Sequence, residues 1–314
     1  MTVAPTGTVP PAGPHGGDGA AVARALGMAV GDMLDLSQSL NPVVRDMVPV
    51  LERHLGSLAR YPDPRRAVEA LSGAMGVDGS RLVLTNGGAE AIALLAAQLG
   101  GRVVEPEFSL HPRTGGPLWR SNPHNPTGLL AGAGEHAEVW DEAFYPLATG
   151  EWTRGDDAVV VGSLTKLLAL PGLRLGYVLV PAERTSLAAA CRRRQPAWSV
   201  NGLAAEALPD LLDMVDLGAW AASVRCLRRE LVAVLQDHGL APRPSDANWV
   251  LVDAPGLRER LARRGVLVRD CASFGMPGTM RIAVPSSSGL DRLADALSAA
   301  RRGDEAGDEA ASAP

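Results

Sequence analysis

The segment from Ser163 to Tyr177 brings an amine, two hydroxyls and a guanidinium close together in the sequence. Lys166 supplies the amine, Ser163 and Thr165 supply the hydroxyls, and Arg174 follows eight residues after the lysine. The run from Ala158 to Val161 predicts a short buried strand, so these side chains should emerge at its carboxyl end, where open α/β sheets bind ligands. A lysine amine that condenses with an aldehyde performs Schiff-base chemistry, and the hydroxyls and the arginine suit a phosphate on the same ligand.

A second segment, Thr85 to Ile92, predicts an anion-binding loop. It follows a strand-like run and opens a helix, so its backbone N–H groups point at a potential anion. Gly87 and Gly88 permit a close approach of the ligand to the backbone. Such a strand-to-helix turn is common, but together with the groups around Lys166 it predicts a phosphate site.

A third pattern supplies the groups that a pyridine ring would need. Asp141 ends a short apolar stretch, and its carboxylate could hold a pyridine nitrogen in the protonated state. Asn125 lies in the proline-bounded turn from Asn122 to Gly128, where its amide could contact a phenolic ring oxygen. An isolated Asp-Glu pair is usually a helix cap, and a proline turn is usually only a turn. The order of loop, asparagine turn, aspartate, lysine and arginine is what indicates a cofactor site.

The overall composition excludes several classes of function. The chain has 314 residues, a net charge of -5 and interspersed acidic and basic residues, which argues against nucleic acid as a partner. No apolar run approaches the length of a membrane span, and the six histidines lack metal-ligand spacing. Three scattered cysteines, Cys191, Cys226 and Cys271, favour reduced thiols and a cytoplasmic location.

Alternating strand-like and helical segments predict an α/β protein with two domains. We expect a flexible N-terminal arm over residues 1–30 and a large cofactor-binding domain with a mainly parallel sheet over 31–200. A smaller α/β domain should follow over 201–302, and residues 303–314 should form a disordered tail.

These motifs resemble the fold-type I pyridoxal-phosphate enzymes of the aminotransferase class I/II superfamily, from about Leu36 to Ala283. The resemblance implies that Lys166 binds the cofactor aldehyde, that Asp141 pairs with the pyridine nitrogen and that Asn125 contacts the ring oxygen. The phosphate contacts that it implies are Gly88, Ala89, Ser163 and Arg174, and Glu90 and Thr165 are further cofactor-binding candidates.

Two further positions gain a meaning only from this resemblance. His111 occupies the place where relatives usually stack a tyrosine on the cofactor ring. Tyr61, in the run Arg60 to Asp63, matches a tyrosine that reaches the cofactor phosphate of the neighbouring subunit. The resemblance therefore implies a homodimer.

Within the superfamily, four segments look most like the threonine-phosphate decarboxylases of cobalamin biosynthesis. They are His15 to Gly17, Leu36 to Pro42, Asp141 to Phe144 and Gln195 to Asn201. That likeness implies conversion of L-threonine O-3-phosphate to (R)-1-aminopropan-2-yl phosphate. Histidinol-phosphate aminotransferases are similar in the same motifs, so decarboxylation and transamination both stay open. The substrate contacts expected in either case are Arg281, Arg269, His15 and Asn41, with Trp198 as a further candidate.

The chain departs from the superfamily between its phosphate loop and Asp141. Thirteen residues separate Phe108 from Asn122, and twelve separate Gly128 from Asp141, where relatives carry additional helices and strands. We therefore expect a shortened large domain. Because such a domain could bind the cofactor without turning substrate over, a non-catalytic pyridoxal-phosphate-binding protein is a third hypothesis.

Overall fold

The structure is a computed structural model that describes residues 7–155 and 157–311, with side chains as far as Arg302. The strands are β1 Leu34–Asp35, β2 Leu82–Asn86, β3 Trp119–Ser121, β4 Val139–Asp141, β5 Val159–Ser163, β6 Leu175–Leu179, β7 Trp249–Asp253, β8 Val266–Leu267, β9 Arg269–Asp270 and β10 Thr279–Ala283. The α-helices are α1 Gly19–Ala25, α2 Val48–Arg53, α3 Arg65–Met75, α4 Gly87–Leu99, α5 Tyr145–Thr149, α6 Leu164–Leu167, α7 Thr185–Arg194, α8 Gly202–Leu212, α9 Leu217–Asp237, α10 Leu257–Ala262 and α11 Ser287–Ala311.

The chain forms two compact units. The central unit comprises Leu40–Val224, and the terminal unit combines the residues up to Ser39 with those from Arg225 onward. The boundary lies inside α9 and therefore later than the expected position near residue 200. The physical reason is packing, because the apolar face of α8 is buried against α3 in the main cluster of the central unit.

A five-stranded sheet in the order β2-β6-β5-β4-β3 organises the central unit. Strands β3, β4 and β5 are parallel, and β6 runs antiparallel to both β5 and β2. Four of the five strands therefore point the same way, as the mainly parallel prediction requires. Successive residues of β5 alternate between two hydrophobic clusters, Val160 in one and Val159 and Val161 in the other. Both faces of the sheet are thus covered by apolar side chains, which explains the run of three valines.

The shortened region between α4 and β4 contributes little regular structure. Besides β3, it forms two isolated bridges, Gly101 with Gly115 and Arg102 with Leu118. The Trp119 N–H donates to the Arg102 carbonyl oxygen, so this remnant pairs with the outer side of β3. The few residues of this region therefore pair beside β3 and form no further strand.

The terminal unit contains the antiparallel sheet β7-β10-β9 and the parallel pair β1 and β8. Its N-terminal part differs from the flexible arm expected over residues 1–30. Helix α1 buries Val22 and Ala23, and these pack with Leu26 in a cluster that includes Ala262 and Leu267. Apolar residues at helical spacing can bury surface here, which orders the segment.

The C-terminal end also differs from its expectation. Helix α11 continues to Ala311, into the stretch predicted as a disordered tail, and this stretch is rich in the helix formers alanine and glutamate. Residues 1–6, residue 156 and residues 312–314 lie outside the described part of the chain. Among the described residues no helix has both the length and the apolar character that a membrane span requires. Cys191, Cys226 and Cys271 are free thiols, and the cytoplasmic location stays a prediction.

Candidate cofactor and substrate site

The carboxyl ends of four strands meet at one edge of the central sheet. Ser163 at the end of β5 pairs with Gly176 of β6, which in turn pairs with Thr85 of β2. Asp141 ends β4 in register with Val161. Lys166 lies in α6, which begins directly after β5. The register therefore brings the three predicted motifs, distant in sequence, to neighbouring positions at this edge.

Gly87 of the phosphate loop and Gly176 of β6 beside it leave no room for a side chain. A Cβ on Gly87 would lie 2.5 Å from Nη2 of Arg174, and a Cβ on Gly176 would lie 2.5 Å from the Gly88 nitrogen. Gly87 has a left-handed backbone, with φ +76°. Arg174 has φ 60°, a strained value for a residue with a side chain, and its Nη1 donates to the Pro171 carbonyl oxygen at 3.3 Å. The guanidinium is therefore held over the N-terminus of α4.

This cradle fits a phosphate group. The first N–H groups of α4, a 13-residue helix, have no acceptor within the helix, and the Arg174 guanidinium beside Gly87 adds a positive charge. Ser163 borders the same loop, because a Cβ on Gly88 would lie 3.5 Å from Ser163 Cβ. The predicted grouping of Gly88, Ser163 and Arg174 is thus reproduced in three dimensions.

Two of the residues predicted for the cofactor site use their side chains elsewhere. The Thr165 hydroxyl donates to the Leu175 carbonyl oxygen at 3.4 Å. Glu90 Oε2 accepts hydrogen bonds from the Asn86 N–H, Gln195 Nε2 and the Ser199 hydroxyl, at 2.7, 3.0 and 3.2 Å. These donors hold the Glu90 carboxylate, which would repel a phosphate if it faced one. Glu90 therefore braces the segment after α7, a role that the sequence alone did not indicate.

Asp141 is buried and its carboxylate is held at both oxygens. Oδ1 accepts the Ala143 N–H at 3.1 Å, and Oδ2 lies 2.9 Å from Nε2 of His111. Nearby, the Lys166 ammonium nitrogen lies 5.8 Å from the centroid of the Phe144 ring. Lys166 is half-buried, and its amine has an apolar neighbour. A buried carboxylate and an amine are the two groups that Schiff-base chemistry on a pyridine ring requires.

Asn125 and Asn41, the two asparagines predicted as site residues in the central unit, have different surroundings. Asn125 is buried in a turn that His124 braces, with Nδ1 2.8 Å from the Thr127 hydroxyl and Nε2 2.8 Å from the Pro106 carbonyl oxygen. Asn41 uses its amide within the chain, donating to the Leu167 carbonyl oxygen at 2.9 Å and accepting the Val43 N–H. Its backbone N–H donates to the Lys166 carbonyl oxygen. These contacts favour anchoring of the lysine segment over substrate binding by Asn41.

Tyr61 and Trp198 form an exposed aromatic pair in the central unit. Their ring centroids are 4.5 Å apart, and the residues are 78% and 61% exposed. Trp198 has a left-handed backbone with φ 58°, and the hydrogen bond from Ser199 to Glu90 follows directly after it. The strained turn therefore presents Trp198 outward beside Tyr61.

The terminal unit gathers three of the predicted substrate residues. Arg269 of β9 pairs in register with Arg281 of β10, and both side chains are buried. Burial, together with the Arg269 charge, lowers the pKa of Arg281 to about 10. Burial and the same Arg269 charge also lower the pKa of His15. Nη2 of Arg269 donates to the Pro14 carbonyl oxygen and to the Ser273 hydroxyl, whereas Nε and Nη1 have no hydrogen-bond partner among the described residues.

Comparison with known proteins places the chain in a family. The profile of the family "Aminotransferase class I and II" matches residues 116–297. The chain belongs to this family. A histidinol-phosphate aminotransferase of Symbiobacterium thermophilum is 31% identical, covering 89% of this chain and 93% of that protein. A threonine-phosphate decarboxylase of Salmonella typhimurium is 29% identical, covering 90% and 95%.

Solved structures of class I and II aminotransferase relatives share the fold. The histidinol-phosphate aminotransferase of Clostridium acetobutylicum gives a TM-score of 0.75 at 20% identity, covering 86% of this chain and all of that one. The L-threonine-O-3-phosphate decarboxylase of Porphyromonas gingivalis gives 0.72 at 19% identity, covering 85% and 99%. The sequence alignments extend over more than 340 positions, which exceeds the 314 residues of this chain, so the relatives carry residues that it lacks.

Pyridoxal phosphate is the cofactor of this aminotransferase family, and the residues present fit it. The Gly87–Gly88 cradle with Arg174 matches the phosphate, and the buried Asp141 matches the pyridine nitrogen. Sequence reasoning missed the residues that support these groups, namely Glu107 beside His111 and the Gln195 and Ser199 contacts on Glu90. Their side chains are common polar types without a spacing that marks them, so only the folded chain reveals the contacts.

Proposed function

We propose that this class I/II family member is a pyridoxal-phosphate-dependent decarboxylase of a phosphorylated amino acid, with L-threonine O-3-phosphate as substrate. The observation that carries the proposal is the cationic cluster of the terminal unit. Arg269 has two buried N–H positions without partners among the described residues, next to Arg281 and with His15 close by. Buried guanidinium groups of this kind are suited to a phosphate or a carboxylate. A substrate that carries both a phosphate and a carboxylate explains why two arginine side chains are buried here.

Phe144 supports the choice of decarboxylation. Its ring is the apolar neighbour of the Lys166 amine, at the position where aminotransferases commonly carry a tyrosine. The Gln195 to Asn201 segment, which is like that of the threonine-phosphate decarboxylases, is held by Glu90 at the start of α4. The 29% identical relative from Salmonella typhimurium bears this name.

Each group of the chain has a defined task in the proposed reaction. When bound, pyridoxal phosphate supplies an aldehyde for the substrate amine and a ring that takes up the electron pair left by a broken bond at the α-carbon. Asp141 holds the proton on the pyridine nitrogen, and Arg174 with the α4 N–H groups binds the cofactor phosphate. Arg269 and Arg281 bind the substrate anions. After carbon dioxide has left, Lys166 gives a proton to the substrate α-carbon.

Transamination of histidinol phosphate is the second candidate. It is supported by the 31% identity with the Symbiobacterium thermophilum enzyme of that name. The same cationic cluster would then bind the single phosphate, and Lys166 would remove the α-hydrogen. The two reactions differ in the bond that breaks, and this can be measured directly.

The deciding experiment incubates the purified protein with each substrate. We expect release of carbon dioxide from threonine phosphate and no amino-group exchange between histidinol phosphate and 2-oxoglutarate. The matched control is Lys166→Ala, which should abolish turnover and the borohydride-dependent labelling of a lysine peptide. Exchange without release of carbon dioxide would establish the aminotransferase instead. Borohydride-dependent labelling of the lysine peptide without turnover of either substrate would indicate the non-catalytic binding protein.

We further propose that the protein acts as a homodimer in which Tyr61 reaches the cofactor phosphate of the partner subunit. The support is its 78% exposure on the Trp198 ring, which leaves the phenol directed outward. Large exposed aromatics on a rigid turn are typical of interfaces. Sedimentation equilibrium of the full-length protein tests the dimer, and a monomer at micromolar concentration would reject it.

A further inference from the structure

A buried row of polar side chains adjoins the candidate carboxylate of the central unit. It contains Asp141, His111, Glu107 and Ser121. His111 Nε2 lies 2.9 Å from Asp141 Oδ2, whereas His111 Nδ1 lies 3.7 Å from Glu107 Oε1 and makes no hydrogen bond among the described residues. The side chains of His111, Glu107 and Asp141 are 0%, 2% and 8% exposed. Polar groups buried to this degree need specific partners, so their mutual arrangement is informative.

The geometry fixes which atom donates. An ionised aspartate has only acceptors, so the proton between the two groups is on Nε2 of His111, which donates to Asp141. Because the Ala143 N–H occupies Oδ1 and His111 occupies Oδ2, the carboxylate cannot rotate without breaking a hydrogen bond. Each carboxylate oxygen keeps a further acceptor position for a pyridine N–H.

The His111 ring is enclosed by other aromatic side chains. Its centroid lies 5.6 Å from Phe108, edge to face, and 5.6 Å from the tilted ring of Trp119. With no exposed surface, the imidazole has no free face for stacking on a ligand ring. These contacts favour a function through Asp141 over the stacking role that the resemblance implies for this position.

Glu107 fixes the other end of the row. Its carboxylate accepts hydrogen bonds from the Phe108 N–H at 2.8 Å, from the Ser121 N–H at 2.9 Å and from the Ser121 hydroxyl. Ser121 ends β3 in register with Asp141 of β4. The segment that carries His111 is therefore attached to the strand next to the one that carries Asp141. A shift of His111 relative to the carboxylate would break this attachment.

We propose that His111 is a positioning residue that donates Nε2–H to Asp141 and, braced by Glu107, holds the carboxylate oriented for the pyridine nitrogen of the cofactor. The inference rests on the proposed function in that Asp141 is the partner of that nitrogen. A charge-assisted hydrogen bond to a carboxylate stabilises the charged form and its orientation. Loss of the donor should therefore weaken cofactor binding without changing the fold.

The test compares His111→Phe with His111→Gln in the full-length holoenzyme. Phenylalanine fills the volume without a donor, whereas the glutamine amide can replace Nε2–H. We expect the rate of pyridoxal-phosphate release, followed by the loss of the visible band, to rise about tenfold in His111→Phe and to stay within about threefold of the wild type in His111→Gln. Glu107→Gln should give an intermediate increase. The matched control is His238→Phe, which removes a hydrogen-bonded imidazole from the terminal unit and should leave release unchanged.

Two further measurements separate the possible failures. Asp141→Asn should speed release at least as much as His111→Phe, and unchanged release in Asp141→Asn would reject the proposed role of Asp141 itself. Faster release in Asp141→Asn but unchanged release in His111→Phe would overturn only the role of His111. Should His111→Phe fail to fold, nitrogen NMR of the imidazoles in the wild-type protein decides the matter. A His111 proton on Nε2 supports the proposal, and a proton on Nδ1 alone overturns it.

Discussion

The two predicted anion sites of this protein differ in the hydrogen bonds that their arginine side chains make within the chain. In the central unit, Arg174 donates to the Pro171 carbonyl oxygen and lies against the Gly87 backbone, at the N-terminus of α4. In the terminal unit, Arg269 keeps two buried N–H positions without a partner among the described residues. The first site is built mainly from backbone N–H groups and one cation, and the second mainly from buried guanidinium charge. The difference suits a resident cofactor in one case and an exchanging substrate in the other.

This contrast has a thermodynamic basis. A cofactor that stays bound through many turnovers benefits from a rigid cradle, because little ordering is required on binding. A substrate anion must enter and leave, so its binding free energy can come from guanidinium charge that the folded protein already holds out of water. The lowered pKa values of Arg269 and Arg281, caused chiefly by burial, record the free-energy cost of keeping these charges in the interior.

The largest expected effect comes from Arg269. In Arg269→Gln, loss of charge-assisted hydrogen bonds to the substrate anion should raise the KM for threonine phosphate about 10- to 100-fold. The visible cofactor band should stay as in the wild type, because the change lies in the terminal unit. The control is Arg263→Gln, an exposed arginine of the same unit that donates to the Gly7 carbonyl oxygen. If the two variants had equal KM values, the division of tasks between the two sites would be wrong.

A smaller effect is expected at the cofactor cradle. Gly87→Ala places a methyl group 2.5 Å from Nη2 of Arg174 on a backbone with φ +76°, so the guanidinium must move away. We expect about tenfold weaker binding of pyridoxal phosphate, with the KM of the substrate nearly unchanged. Titration of cofactor into the variant, followed by absorbance, measures this.

Gly172→Ala is the matched control for the cradle. No described atom lies within 4 Å of the position that the new methyl group would take, and the φ of Gly172 is not left-handed. Equal cofactor affinities for the Gly87 and Gly172 variants would show that Arg174 is not part of a rigid cradle.

The smallest effect on catalysis is expected at Glu142, the residue after Asp141, where the predicted change is in stability. Burial raises the pKa of Glu142 to about 7 from an ordinary value of 4.5, although the Thr153 side chain and the Arg154 N–H oppose the shift. For an acid with a raised pKa, the folded state binds more protons than the unfolded state, so stability falls as the pH rises from 4.5 towards 7.

Glu142→Gln removes this pH dependence. Relative to the wild type, the variant should gain on the order of 3 kcal/mol of unfolding free energy between about pH 4.5 and about pH 8. Urea unfolding at both values measures the difference. A constant difference across that range would show that the pKa of Glu142 is the same in the folded and unfolded states and that its burial carries no such cost.

The sequence predicted the central sheet edge well. Ser163, Lys166 and Arg174 are close in sequence, so the short path of the chain after β5 keeps them together. It also placed Gly87 and Gly88 correctly at a turn from a strand into a helix, and the binding of a phosphate there stays a prediction. The domain boundary was less accessible, since the helical run from α8 into α9 has no break in composition where the units separate. The order of the N-terminal arm was missed because Val22 and Leu26 have a partner only in the folded terminal unit.

The sequence alone determined which reactive groups the chain carries and in what order, namely an amine, a carboxylate, a glycine turn before a helix and the valines of a buried strand. The tertiary structure decided which polar side chains are hydrogen-bonded by other residues of the chain. Glu90, Asn41 and His111 bear the polar types that a ligand could use, yet their partners come from residues far along the chain. Hydrogen bonds are local in space and not in sequence, so whether a polar side chain serves the ligand or the fold is settled only when distant segments meet.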